Sequence, residues 1–500
     1  MEKIKYEVAA PKASALIYSL RSFGYSLTAA IADIIDNSVA AGANRIETQF
    51  NIDNPENPWI SITDNGKGMN EEELQNAMRL GSTHPKDERA ETDLGRFGLG
   101  LKTAAFSLCK RLTVISKSEN DADYHVRTWD LDLVDKTNDW ILTLEGSETA
   151  EGMAEAFFAE NDHGTVVLME KLDRLIPSDM DVKKINDYFL KCIESVEEKT
   201  TLYFSEFMDG KNKIDFYING SLVKSWDPFY TSHKLTIINP EERLHFKGET
   251  IRVQSYILPH SSKLSDEELE EGGLNNNWTD LQGFYVYRNN RLLVAGEWLL
   301  EGLVKRDIYK LARIRIDLPN NLDEEWGIDV RKSIVTPPVQ LQEQLRRIAN
   351  AARKKSGEIY KHRGKVLKRA SKYDQTLVWN ETKYNDSYQF KVNRNHPLIA
   401  DALKNSEDRK QISSIIKLIE ETIPVAAIVS HSSEDNNRPY RPYSQDKQLV
   451  DELMNSFIEA LQKIGKGPDE IVQIVSTTEP FSDYSEKIAL LKEILEVNDL

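Results

Sequence analysis

The sequence predicts an α/β fold: an α+β sandwich in the first third of the chain, a second α/β block after it, and a helix-rich remainder. Three observations carry this reading. From Ser26 to Gly42 the apolar residues Leu27, Ile31, Ile34 and Ile35 share one stripe at helical spacing, and Gly42 is a natural stop just past the last turn. The short runs RIETQFNI, WISIT, LTVIS and GTVVLME read as strands set between helical segments. At 500 residues the chain exceeds the size at which a single core stops growing, so two or three domains are expected.

Ile46, Phe50 and Ile52 alternate along RIETQFNI, and the turn DNPENP separates that strand from WISIT, so the two should pair as neighbours. Asn70 followed by three glutamates starts a helix with Glu73 in capping-box position, and Gly81 closes it. Residues 82–94, STHPKDERAETDL, are almost wholly polar and carry too little apolar surface to offset the entropy of ordering, which reads as a lid beside a site. GRFGLGLK then runs into the helix TAAFSLC, followed by strand-like segments at LTVIS, YHVRTW and WILTL and by GTVVLME, which completes a first domain over residues 1–175.

The second block, 176–338, opens with the helix VKKINDYFLKCIESV and carries hairpin signals at Asn219-Gly220 and Asn289-Asn290. It ends in RIRIDLP and WGIDVRKSIVTPP, and Pro337-Pro338 marks a boundary because neither residue donates a hydrogen bond and each restricts the residue before it. A basic helical linker over 339–375 and a helical and mixed domain over 376–500 complete the chain. SSIIKLIEETI, VDELMNSFIEALQKI and SEKIALLKEILEV are amphipathic, as suits a core, a dimer interface or a partner-binding surface.

Composition narrows the function classes. Two cysteines, Cys109 and Cys192, exclude a disulfide scaffold and a cysteine-rich zinc site, and both read as small core residues. The nine histidines show no metal-ligand spacing. No run approaches the roughly 18 apolar residues of a spanning helix, and the first residues lack the apolar stretch of a signal peptide, so no membrane partner and a cytoplasmic location are expected. A net charge of -17 argues against a uniformly basic nucleic-acid binder.

Four elements carry chemistry. Asp33 and Asn37 lie four residues apart, hence about 40° apart on one helix face, roughly opposite Ile31 and Ile35. Asp33 can orient and deprotonate water there, and the Asn37 carbonyl oxygen can ligate Mg²⁺; a solvated helix face is the alternative. Asp64-Asn65-Gly66-Lys67-Gly68-Met69 puts a carboxylate at a strand end, able to accept from an adenine amino group, with two glycines that let the backbone approach the base; a plain acidic turn is the alternative. Gly95-Arg96-Phe97-Gly98-Leu99-Gly100-Leu101-Lys102 spaces its glycines so that backbone N–H groups converge on an anion at a helix N-terminus. The polar segment before it leaves no strand for a dinucleotide-binding βαβ unit, and the lysine spacing of a P-loop is missing. Gly164-Thr165 opens an apolar strand, where a hydroxyl could add a hydrogen bond near a base, directly or through water.

In this order the four elements resemble the GHKL ATPase family of gyrase B, MutL, the ninety-kilodalton heat-shock chaperones and the sensor histidine kinases. AIADIIDNSVAAGA is similar to its helix motif, TDNGKGM to its adenine turn, GRFGLGLKTAA to its phosphate loop and GT to its final strand. The resemblance implies a Bergerat-type ATP-binding domain with ATP and Mg²⁺ as ligands. Asn37 would bind Mg²⁺, and Asp64 would contact adenine. The turn residues Gly66, Gly68 and Met69 would line the site. Gly95, Gly98, Gly100 and Lys102 would hold phosphates with Arg96, Phe97 and Leu99 of the same loop, and Thr165 would support the base. Asp33 stands where most hydrolysing members carry glutamate and reaches one methylene less far, whereas the neighbouring Asp36 lies about 100° away around the helix.

GFYVYRNNRLLVAG and WGIDVRKSIVTPP resemble the transducer domain of the MutL and MORC branch, which implies that Lys332 reaches the γ-phosphate. The likeness favours prokaryotic MORC-like and MutL-like proteins of restriction and phage-defence loci, with defence-system proteins as partners. It implies a homodimeric clamp gated by ATP, against the alternative of a non-hydrolysing or chaperone-like scaffold. Ten Lys or Arg against the single acid Glu358 between Arg346 and Arg369 read equally as a DNA-backbone contact or a solvated helix face, above a packed stripe of Leu345, Ile348, Ala352, Ile359 and Val366.

Overall fold

In the computed structural model, the structure describes residues 11–22, 24–54, 57–81, 100–176, 182–274, 277–328, 335–361, 378–384, 387–406, 408–423, 447–463, 465–478, 481 and 488. The chain divides into two compact units, the first running to Lys361 except for residues 261–263, the second made of those three and residues 362–500.

The first unit holds two sheets. Sheet one orders its strands β4-β3-β5-β2-β1-β6-β7, from β1 (Arg45–Asn51), β2 (Trp59–Asp64), β3 (Arg111–Lys117), β4 (His125–Asp130), β5 (Gly164–Glu170), β6 (Asp215–Ile218) and β7 (Ser221–Leu222). β1 and β2 pair antiparallel, as their alternation predicts, with Ile46 opposite Asp64. The segment WILTL forms no strand: it touches the sheet through one bridge, Thr143 to Thr128, and leaves Trp140 and Leu144 exposed. Its apolar residues lack the alternation that would bury one face, so propensity alone does not extend the sheet.

Side-chain alternation splits the burial of sheet one. On β3 and β5, Leu112, Val114, Val167 and Met169 face a core built with α1 (Ala13–Arg21), α2 (Leu27–Ala40), α4 (Gly100–Phe106) and α7 (Val182–Met208). Ile115, Val166 and Leu168 point the other way, onto Ala150 and Ala154 of α6 (Glu148–Glu160). α3 (Glu71–Met78) begins with the predicted Asn70–Glu73 capping box, but it ends three residues before Gly81, at Met78. Side chains take its last carbonyls: Lys102 Nζ donates to Ala77 O at 2.6 Å and Arg79 O at 2.9 Å, and Trp129 Nε1 to Met78 O at 3.0 Å.

α7 runs back along sheet one and returns the chain to its edge, where β6 lies parallel to β1. Sheet one therefore takes its last two strands from beyond residue 175. Asn219 and Gly220, with φ of 46° and 78°, turn β6 into β7, and Asn289 and Asn290, at 47° and 65°, turn β11 (Gly283–Arg288) into β12 (Arg291–Glu297), as their sequences predict.

Sheet two runs β12-β11-β13-β10-β8, with β9 (Glu242–Phe246) also on β10 (Glu249–Ile257); its other strands are β8 (Ile237–Ile238) and β13 (Ala312–Leu318). All of β11 is buried, which fits a strand covered on both faces. One cover is α9 (Val339–Lys361), whose Leu341, Leu345, Ile348, Ala349 and Ala352 join the second core. This helix, predicted as a linker, is an integral layer of the unit. Its cations are largely committed as well: Arg346 to Glu301 O, Arg347 to Glu242, Lys355 to Asn239, and Arg353 over the rings of Trp298 and Tyr309.

In the second unit a hairpin, β14 (Trp379–Tyr384) with β15 (Ser387–Val392), precedes α10 (Pro397–Asn405) and α11 (Arg409–Glu421). Helices Lys447–Lys463 and Pro468–Thr477 share a small core of Met454, Phe457, Leu461, Ile471 and Val475. Val366 and SEKIALLKEILEV lie outside the described residues, except for Ile488. No helix among the described residues is long and apolar enough to cross a membrane.

If α9 is a structural layer, Leu345→Ala should cost about 2–5 kcal/mol in chemical denaturation, while Arg347→Ala at the surface should leave the midpoint near wild type. A Leu345→Ala midpoint equal to wild type would instead make α9 a detachable linker.

Candidate functional site

The site is assembled around α2. Ser26 caps the helix by accepting from Ala29 N at 3.2 Å, and the backbone turns away at Gly42, with φ of 75°. Residues Ala30 to Asp36 are all buried, so the side of α2 opposite its apolar stripe is covered too. Asp33 is therefore no part of a solvated face: it is 5% exposed, accepts from Tyr25 Oη at 2.9 Å, and lies against the start of α4. A Cβ added to Gly100 would stand 3.7 Å from Asp33 Oδ2. One turn on, Asn37 is exposed, and its amide Nδ2 donates to Asp33 O at 3.1 Å, which leaves the amide oxygen as its ligating atom.

Ser38, on the next position, reaches the second element. Its hydroxyl donates to Asp64 Oδ2 at 2.8 Å, and Gly66 N donates to Asp64 Oδ1 at 2.9 Å. Asp64 is buried, and burial raises its pKa against the lowering influence of Ser38, Gly66 and His163. Each carboxylate oxygen offers two lone pairs, so both retain capacity to accept from a base. The turn after Asp64 is pinned to α2 by Lys67 N donating to Ala41 O at 3.0 Å, and to β1 by Asn65 Oδ1, which accepts from Asn44 N and Arg45 N.

The glycines of this turn are required by close approach. Gly68 has φ of 65°, and a Cβ there would stand 1.8 Å from Lys117 O. Gly164 has φ of 139°, and a Cβ would stand 2.2 Å from Asp64 O. Antiparallel pairing sets Thr165 directly opposite Asp64. Ser116 on β3 joins the parts: its hydroxyl lies 2.9 Å from Thr165 Oγ1, donates to Gly164 O at 3.0 Å and accepts from Met69 N at 2.9 Å. His163 Nδ1 lies 2.6 Å from Gly66 O.

The structure thus brings together Asp33, Asn37, Asp64, Gly66, Gly68, Met69, Gly100 and Thr165. Lys102 shares this neighbourhood, but its ammonium is committed to the end of α3 and 2% exposed, and burial lowers its pKa to about 8. The resemblance, which implies a phosphate contact for Lys102, could not show that. Gly95, Arg96, Phe97, Gly98, Leu99, the segment 82–94 and Lys332 lie outside the described residues. Sequence reasoning missed Tyr25, Ser38, Ser116 and His163. Ser38 and Tyr25 flank motif residues on the chain, but Ser116 is found only through strand register.

Residues 25–165 match the family model described as histidine kinase-, DNA gyrase B-, and HSP90-like ATPase. The chain is also 31% identical over 90 residues to the ATPase morc-1 of Caenorhabditis elegans, a match covering 18% of this chain and 10% of that protein.

Gly68→Ala should abolish nucleotide binding in calorimetric titration, since the clash is with backbone; unchanged affinity would refute the turn's role. Lys102 supplies a pH signature. The unfolded chain keeps its proton to about 10.5 and the folded chain only to about 8, so unfolding takes up a proton between those values and stability climbs with pH across that window. Compared with Lys102→Met, wild type should gain roughly 1–3 kcal/mol from pH 8 to 10.5, read from denaturant curves.

Proposed function

We propose, from the premise that residues 25–165 form a GHKL-type ATPase domain of MORC-like sequence, that the protein binds ATP with Mg²⁺ and hydrolyses it slowly. The observation that carries this reading is the double attachment of α2. At Ser38 the helix holds the Asp64 end of the site, and at Asp33 it faces the start of α4. Five residues of helix separate these points by about 7.5 Å, which suits a ligand with a base at one end and phosphates at the other.

In this reading Asp64 accepts from the adenine amino group, with Gly66, Gly68 and Met69 shaping the wall and Thr165 supporting the base with Ser116. Asn37 offers an oxygen to Mg²⁺, which when bound draws charge from the phosphates. Gly95, Arg96, Phe97, Gly98, Leu99 and Gly100 cradle the phosphates, with Lys102 at the start of the same helix. Lys332 approaches the terminal phosphate from the second block. Asp33 orients the attacking water and accepts its proton, and Tyr25, by donating to one carboxylate oxygen, aims the other.

The acting form in this proposal is a homodimeric clamp closed by ATP, in the cytoplasm, with DNA or a defence-system protein as its object. The candidate DNA contact is the basic run 346–369, in which Arg346, Arg347, Arg353 and Lys355 also have partners within the chain. The domain division follows the same reading: nucleotide domain 1–175, transducer-like domain 176–338, basic segment 339–375 and C-terminal domain 376–500. One feature favours a second reading, a scaffold that holds ATP without hydrolysing it, namely the shorter reach of an aspartate at position 33.

Titration with Mg-ATP and steady-state phosphate release together test these readings. Asn37→Ala and Asp64→Ala should lose binding. Asp33→Ala should bind but release phosphate about 100-fold or more slowly, the usual range for a lost general base. Wild type and Asp33→Ala releasing phosphate at the same background rate would favour the scaffold, and unimpaired binding by Asp64→Ala would end the nucleotide reading.

A further inference from the structure

Asp36 lies between Asp33 and Asn37 on α2 but turns to a different neighbour. It is 2% exposed, and Arg291 Nε donates to its Oδ1 at 2.8 Å across 255 residues of sequence. Arg291 is itself 4% exposed. It is the first residue of β12, directly after the tight turn at Asn289-Asn290, so the position of its backbone is set by sheet two. The rings of Tyr203 and Phe204, on α7, each lie 4.5 Å from the guanidinium carbon. One guanidinium therefore joins the nucleotide helix, the long helix α7 and an edge strand of the second sheet.

Its chemistry suits the place. An arginine keeps its charge when buried, its planar group stacks on rings, and its N–H groups fix direction as well as distance. The neighbourhood is acidic before any ligand arrives, with buried carboxylates at Asp33, Asp36 and Asp64, and a triphosphate adds more negative charge.

We infer that Arg291 is a positioning residue for the nucleotide site: acting through Asp36, it fixes the turn of α2 that carries Asp33 and Asn37, so that the second sheet sets the affinity for Mg-ATP. This rests on the nucleotide reading above. It makes the fragment 25–165 an incomplete binder, because a required side chain is supplied from outside it.

The test uses the full chain with Mg-ATP as the titrant, and melting temperature as a separate readout. Arg291→Met should weaken Mg-ATP by about 10-fold or more, within the range of ordinary coupling between sites. Arg291→Lys, which keeps the charge, should recover part of the loss. Because Arg291 acts through Asp36, Arg291→Met should weaken binding no further in an Asp36→Leu background. Arg291→Met binding like wild type would overturn the inference, and so would losses that simply multiply in the double variant. Should Arg291→Met melt below the assay temperature, the double variant decides alone, since it leaves no lone buried charge; wild-type affinity in it would overturn the inference. Wild type that melts normally yet fails to bind Mg-ATP would refute the nucleotide reading instead.

Discussion

Burying a carboxylate is expensive unless something donates to it, and the architecture of the first unit follows from meeting that condition three times in one small volume. Asp33, Asp36 and Asp64 are each almost fully buried. Their donors come from different parts of the chain: the Tyr25 hydroxyl from before α2, the Arg291 guanidinium from β12, and the Ser38 hydroxyl with the Gly66 amide from α2 and the turn after β2. Moving α2 without its neighbours would break at least one of these contacts. The helix is thus the fixed reference against which the turn after β2, the start of α4 and the second sheet are set.

The turn after β2 shows the same economy in backbone terms. Gly68 and Gly164 bring chain segments closer than any side chain allows, one against Lys117 O and the other against Asp64 O. Ser116 fills the remaining polar vacancies by serving Met69 N, Gly164 O and Thr165 at once. A wall built from strand register and backbone contacts has little freedom to rearrange. Polar groups buried and satisfied in this way fix one geometry more firmly than apolar packing of the same volume does.

Much of this was legible in the sequence where the signal is local. The capping box at Asn70, the turns at Asn219-Gly220 and Asn289-Asn290, and the alternation that pairs β1 with β2 need only a few adjacent residues, and each forms as read. The errors arise where distant residues decide. Gly81 looks like the end of α3, yet the helix stops at Met78, where Lys102 and Trp129 donate to its last carbonyls. The helix after Pro338 shows a packed stripe in the sequence, as its buried Leu345, Ile348 and Ala352 bear out, but reads as a linker because only distant residues reveal that the stripe meets sheet two and that its arginines find partners there. The motif residues of the site could be named, but Ser116 and Arg291 carry no motif, since their meaning comes from strand order and from a hairpin far along the chain.

The two sheets are also linked through α7. That helix places Leu202 in the second core and Phe204 in the first, and Phe204 is one of the two rings holding Arg291. Sheet two therefore reaches α2 by two routes, a charged one through Arg291 and a packed one through α7. Packed interiors are dense and shift between discrete arrangements more readily than they deform continuously. A ligand that binds against α2 can be felt in sheet two only to the extent that it favours one arrangement of these joint contacts over another. The ion pair supplies the directional part of that preference, because a guanidinium held against two rings donates to its carboxylate from very few orientations.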